Sequence, residues 1–189
     1  VRDDVEVEPR WHTTGQQELY RGWMTLTGHT VLLPDGSSTS YEVDSSVPFA
    51  VATLIYDGEQ VFLSRQYRYP IDQWIYDLPG GGGELGEEPV EAARREVEEE
   101  LGLIPENLRP LHVFFSNPAR AAWPTHLFFS TSVSQGQAQN DPIEQVRLAR
   151  MTLEELDLLI FQRKIIDPSL LVARTMAAAT GLMPVVRSW

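Results

Sequence analysis

The sequence predicts an α+β fold: a mixed sheet layered between helices and preceded by a small β-rich segment. Three observations predict it. Apolar and polar residues alternate on either side of Pro34-Asp35-Gly36 and again around Asp57-Gly58, which is the pattern of hairpins. Three later stretches, 89–102, 153–163 and 168–183, instead carry apolar residues at helical spacing. Short β-rich runs lie between them, and a sheet with helices on both faces is the simplest way to bury every apolar face.

Taken in order, residues 1–16 open with VRDDVEVEPR, acidic and polar, and are expected to form a flexible tail. Residues 17–46 form the β-rich segment, folded about the Pro-Asp-Gly turn. The main domain is expected over 47–189. Within it FAVATLIYDGEQVFLSRQYRY gives two strands about Asp57-Gly58, and QWIYDLP gives a third that ends at four glycines, Gly80 to Gly83. Pro89 suits the first turn of a helix and Gly102 its left-handed stop. In that helix Val90, Ala93, Val97 and Leu101 recur on one face, which is expected to meet the core. Strands follow in LHVFFS, THLFFSTSV and EQVRLARM, and two helices, LEELDLLIFQR and PSLLVARTMAAATGLM, close the chain. QGQAQNDP, residues 135–142, is the loop-like polar stretch inside the domain.

Composition narrows the function. Among 189 residues, 42% are hydrophobic and 10% aromatic, enough for a real core, and the formal net charge is −12. That charge argues against a protein that grips nucleic acid through its phosphates. There is no cysteine, so disulfides, thiol nucleophiles and thiolate zinc sites are excluded. The four histidines, His12, His29, His112 and His126, have no pair at metal-ligand spacing. No apolar run reaches the ~18–20 residues of a membrane span, and the first residues lack a signal-peptide pattern. A cytoplasmic protein with no membrane or nucleic-acid partner is expected.

The informative stretch is GGGGELGEEPVEAARREVEEELGL, residues 80–103. Like charges three or four apart on a helix repel by about 0.2–0.5 kcal/mol per pair, so such a helix is either a solvated face or a holder of cations. At about 100° per residue, Glu99 and Glu100 fall within about 60° of Glu96, on a face largely separate from the apolar stripe. Oxygen ligands so grouped suit hard cations such as Mg²⁺ or Mn²⁺. The glycines before the helix let backbone come close to the same point. Divalent ions there would neutralise a diphosphate, polarise its phosphorus–oxygen bonds and lower the pKa of an attacking water. A net-negative protein could then handle an anionic substrate.

The spacing goes further. Gly81, five residues, Glu87, seven residues, Arg95-Glu96-Val97, one residue, Glu99-Glu100, one residue and Gly102-Leu103 match the Nudix box at all nine defined positions. The chain therefore resembles the Nudix hydrolases, which cleave a nucleoside diphosphate linked to another group with the help of Mg²⁺. The resemblance implies an α/β/α sandwich with the box as loop–helix–loop. It implies Glu96 and Glu100 as principal metal ligands, the Gly80 carbonyl as another, and two or more ions per site. Glu99 would be a ligand or lie beside the ligands, with a catalytic part. Glu87 and Arg95 would pair to brace loop and helix.

Outside the box the likeness is looser. The segment YRGWMTLTGHTVLLPDG, the run RQYRYP and Pro118, about sixteen residues after Gly102, resemble the ADP-ribose and nucleotide-sugar pyrophosphatase branch. That branch implies a homodimer formed through the N-terminal β-rich segment. It implies Arg68 as a contact to the diphosphate and Glu42 as a contact to the nucleoside across the dimer. An acid on a loop well after the box would be the general base, Asp141 or Glu144, with Glu144 preferred. ADP-ribose, split to AMP and ribose 5-phosphate, is the expected substrate. GDP-mannose or another nucleotide sugar is the close rival, and a Nudix-fold nucleotide sensor that does not cleave is the alternative of a different class. Relatives commonly place a larger residue after the first two glycines, so Gly82 and Gly83 are expected to leave a more mobile loop and a roomier pocket.

Overall fold

The computed structural model describes residues 8–139 and 145–185. The chain divides into two units, residues 1–46 with 117–122, and residues 47–116 with 123–189.

The first unit is a three-stranded antiparallel sheet, β1 (His12–Arg21), β2 (Thr25–Leu32) and β3 (Ser38–Asp44), in that order. The turn between β2 and β3 is closed by Gly36, whose φ of 84° is left-handed, and by Asp35, whose Oδ1 accepts from the Ser37 amide and hydroxyl. Asp35 thereby supplies the turn with a local side-chain bond. The sequence placed a tail through residue 16, but β1 already begins at His12. The polar run HTTGQQE lacks the apolar alternation that marks a strand, because most of β1 is exposed on both faces. What read as one long arm of a hairpin is two strands, separated at Gly22–Met24.

The second unit is built on a seven-stranded mixed sheet. Its main path runs β12 (Val146–Thr152), β5 (Gln60–Arg68), β4 (Ala50–Tyr56), β10 (Thr125–Ser130), β9 (Arg109–Phe114). β6 (Gln73–Asp77) pairs with β5, and β7 (Gly80–Gly82) with β4. β4 and β10 run parallel; the other pairs are antiparallel. A separate ribbon joins β8 (Leu103–Glu106) to β11 (Ser132–Gln135). β7 and β8 were not legible as strands, since three glycines and a four-residue run carry no period.

Helices cover both faces. α1 (Pro89–Leu101) sets Ala92, Ala93, Val97 and Leu101 against Val51, Ile55, Phe62 and Phe128. α2 (Leu153–Phe161) and α3 (Pro168–Ala179) set Leu153, Leu156, Leu170, Ala173 and Ala177 against Leu54, Leu63, Leu127 and Phe129 on the other face. Neighbouring residues such as Leu54 and Ile55 thus serve opposite cores, as the period of a strand requires. This is the expected α/β/α sandwich. Among the described residues no helix is long and apolar enough to cross a membrane.

Each helix has a definite start or stop. Thr152 and Glu155 form a capping box on α2, and the Asp167 carboxylate caps α3 at the Leu170 amide, 2.7 Å away. α1 begins with Pro89 and ends at Gly102, φ 65°, whose N–H returns to the Glu98 carbonyl. Gly102→Ala would place a β-carbon in that left-handed conformation, 3.1 Å from the Ala138 backbone nitrogen. The expected loss is about 1–2 kcal/mol, read as a fall of roughly 2–8 °C in the midpoint of thermal unfolding followed by circular dichroism.

Candidate active site

α1 turns its apolar stripe to the sheet, so Arg95, Glu96, Glu99 and Glu100 fall on its remaining surface. The backbone of β7 runs alongside. A β-carbon at Gly80 would lie 2.1 Å from the Val51 carbonyl oxygen, and one at Gly81 would lie 2.7 Å from the Glu96 carboxylate. At Gly80 only glycine fits, because the obstacle is the backbone of β4, while a β-carbon at Gly81 would push the Glu96 carboxylate aside. The expectation of a roomier pocket at the next two glycines is not met. Val47 Cγ1 lies 2.7 Å from a β-carbon built at Gly82, and the Phe49 ring lies 2.1 Å from one at Gly83. Neighbouring side chains fill the space.

Arg95 is the hub. Its Nε and Nη2 donate to the two Glu87 oxygens at 3.0 and 3.1 Å, and Nη2 also reaches the Gly82 carbonyl at 3.2 Å. Its Nη1 donates to Glu96 at 2.8 Å and to Glu99 at 3.1 Å. Glu87 in turn accepts from the Glu84 amide. The Arg95 hydrogen bonds hold the Glu87 carboxyl below its usual range, and Glu87 is the first cause that holds the Arg95 guanidinium above its own. The Glu99 carboxylate also receives the Gln139 side-chain amide at 3.5 Å, while the Gln139 backbone N–H donates to the Glu99 carbonyl at 2.9 Å.

Glu100 points the other way, to the sheet. It accepts a 2.8 Å hydrogen bond from the Ser64 hydroxyl on β5. Burial pushes its carboxyl up to about 8; the Ser64 and Gly80 hydrogen bonds pull down, and the negative charges of Asp77 and Glu96 push further up. Asp77, at the end of β6, is pushed up to about 6 by burial, against the pull of Arg68 and with Asp167 adding to the rise. Arg68 lies on this carboxylate, with its Nη2 2.6 Å from Asp77 Oδ2.

Among the described residues no three acidic or histidine side chains converge on one point that would hold a cation. Glu96 and Glu99 are drawn to Arg95 and Glu100 to Ser64. The chemistry of the donors nevertheless fits a hard divalent ion. Carboxylate oxygens of α1 stand beside closely approaching glycine backbone, and the charge of Glu100 is disfavoured first by burial and then by Asp77 and Glu96, a burden of negative charge that a cation would relieve. Glu42 lies exposed on β3, opposite Gly28 of β2, in the N-terminal unit. Asp141 and Glu144 lie outside the described residues. Ser64, Asp77 and Gln139 were not singled out from sequence. An acid inside the otherwise strand-like YDLP was the available signal for Asp77, and the period-two relation to Arg68 was the one for Ser64.

With this geometry in place, comparison with known proteins defines the class. The NUDIX domain model matches residues 47–170, and the chain belongs to the Nudix family of pyrophosphatases. An ADP-ribose pyrophosphatase of Bacillus subtilis (strain 168) is 31% identical over 159 residues, covering 82% of this chain and 85% of the relative. A methanol dehydrogenase activator of Bacillus methanolicus is 33% identical over 165 residues, covering 85% and 89%. An ADP-sugar pyrophosphatase of Mus musculus is 38% identical over 117 residues, covering 54% and 53%. A crystal structure of an ADP compounds hydrolase shares the fold, with a TM-score of 0.73 at 19% identity over 92% of this chain and 97% of that one.

The raised Glu100 carboxyl has a measurable consequence. A carboxyl whose folded pKa lies above its unfolded value stabilises fully below the unfolded pKa, 4.5, and its contribution is lost as pH rises through about 8. Metal-free wild-type protein is therefore expected to lose stability between about pH 5 and 9 relative to Glu100→Gln. The gap should reach a few kcal/mol at the alkaline end, read by denaturant unfolding in chelator. Saturating Mg²⁺ should stabilise the wild type there and leave the variant nearly unmoved.

Proposed function

We propose that the chain is a divalent-metal-dependent hydrolase of the diphosphate bond in a nucleoside diphosphate linked to a second group, with ADP-ribose as the leading substrate. The observation that carries the reading is the acidic face of α1 pressed against glycine backbone, with Glu100 partly buried beside Asp77 and Glu96. The relative named ADP-ribose pyrophosphatase, matched over most of both chains, supports the choice of substrate.

In this reading Glu96, Glu100 and the Gly80 carbonyl hold two or more Mg²⁺ (or Mn²⁺) ions, with Glu99 beside them in a catalytic part. Bound metal supplies charge neutralisation of the diphosphate and a more acidic water. Arg95 stays on Glu87 and keeps the box loop in place as the carboxylates turn to their ligand. Arg68 takes a phosphoryl oxygen through its N–H donors, as suits a planar cation on an anion. Glu144, or Asp141 in its place, takes the proton of the attacking water. The new phosphorus–oxygen bond forms as the bridging one breaks, and ADP-ribose and water become AMP and ribose 5-phosphate.

The reading includes a cytoplasmic homodimer joined through the N-terminal β-rich segment, with Glu42 reaching the partner's nucleoside. Exposed Trp11, Tyr20 and Trp23, the last 88% exposed, support an interface on that unit.

The test is ³¹P NMR of purified protein with ADP-ribose, GDP-mannose and other nucleotide sugars, each with Mg²⁺, Mn²⁺ or chelator. Metal-dependent formation of AMP and ribose 5-phosphate is expected, with kcat lowered on the order of 10²-fold or more in a folded Glu100→Gln variant. A preference for GDP-mannose would change the substrate and keep the chemistry. Tight nucleotide binding without turnover would make the protein a sensor.

A further inference from the structure

The β5–β6 hairpin brings a second charged pair to the face that carries Glu100. Ser64 stands opposite Asp77 in the register, and Arg68 opposite Gln73. Residues 64, 66 and 68 of β5 and 73, 75 and 77 of β6 therefore point to one side of the sheet. It is the side covered by α1, since Ser64 bonds Glu100 and Phe62 packs on Val97 and Leu101.

On this face Arg68 bridges two environments. Its side chain is 45% exposed, while that of Asp77 is 4% exposed. The 2.6 Å bond between them uses Nη2, and the guanidinium has no other hydrogen-bond partner among the described residues. Arginine carries five N–H donors in a rigid fork, so the rest are left on the solvent side. Asp167, which caps α3, adds its field to the same guanidinium.

Asp77 gains little for itself. Its Oδ1 is buried with no hydrogen-bond partner among the described residues, and buried oxygens without partners are uncommon in folded proteins. A carboxylate placed so, three residues before Gly80, gives Arg68 one anchored nitrogen and one orientation. Without it a half-exposed arginine would sample many rotamers and lose that freedom only on binding.

The geometry points to Asp77 as a positioning residue for substrate: it clamps the Arg68 guanidinium so that its free donors face a phosphoryl oxygen of the diphosphate. This rests on the pyrophosphatase reading given above, with Arg68 as the diphosphate contact. In this proposal Asp77 acts on the substrate through its bond to Arg68 rather than by direct contact. Its hydrogen-bonded route to the ligand runs through Arg68, and the charge it also sets beside Glu100 bears on the metal side, which is why the test separates KM from kcat at saturating Mg²⁺.

The test is a double-mutant cycle on ADP-ribose hydrolysis at saturating Mg²⁺. Asp77→Asn is expected to raise KM roughly tenfold, with the larger part of the loss in KM rather than kcat. Arg68→Ala should raise KM at least as far, and the double variant no further than Arg68→Ala. A structural role would instead lower the thermal midpoint and make the two losses additive. Asp77→Glu, which keeps the charge and moves the carboxylate by one methylene, should also raise KM, and it serves if Asp77→Asn does not fold. Additive losses, or a normal KM in Asp77→Asn beside a raised one in Arg68→Ala, would overturn the clamp. A normal KM in Arg68→Ala would overturn it too. If the wild type hydrolyses nothing, the hydrolase reading fails, and the same cycle read as Kd for ADP-ribose by calorimetry decides the clamp.

Discussion

A single guanidinium holds the acidic end of this protein together. Arg95 bonds Glu87, Glu96, Glu99 and the Gly82 carbonyl, so three carboxylates that would repel one another share one cation. The pairs are only partly exposed, where ionic hydrogen bonds are stronger than at an open surface. The loop before α1 and the helix are thereby fixed to each other. Everything chemical in the site depends on that: the approach of Gly81 to Glu96, the line of the glycine backbone, and the direction in which Glu100 leaves the helix.

Glu100 is the counterpoint. It is on the same helix but outside the reach of Arg95, set instead on Ser64 and within the field of Asp77 and Glu96. Folding places it where its charged form is disfavoured, a strain that a fold with no use for the group would shed by substitution. Concentrated acidic charge that the protein only half compensates is a common arrangement at sites that receive cations. The overall charge of −12 thus stops being an objection to a phosphate substrate, because local sign is set by what the carboxylates hold.

Much of this was legible in the sequence, for physical reasons. Helix α1 announced itself by Pro89, Gly102 and the buried repeat, and the box residues by their fixed spacing along one helix and its loop. The α/β/α layering followed from strands with apolar residues on both faces between helical segments. What was hidden depended on tertiary neighbours. β1 lacks a buried face, so HTTGQQE has no alternation to read. The glycines of β7, with Gly83 after them, look like a loose loop until Val51, Val47 and Phe49 are seen to press on them. Ser64 and Asp77 became meaningful only when the β5–β6 register placed them together beside Glu100. Asp141 and Glu144 lie outside the described residues, and the general base rests on the sequence resemblance.

The most direct test of the central claim, that the carboxylate face of α1 is a divalent-cation site, is Mn²⁺ binding followed by electron paramagnetic resonance. Wild-type protein should take up Mn²⁺ stoichiometrically, compete it with Mg²⁺, and lose most of that binding in Glu96→Gln. Weak, non-saturating uptake that the substitution leaves unchanged would contradict the account and reduce the acidic helix to a solvated face.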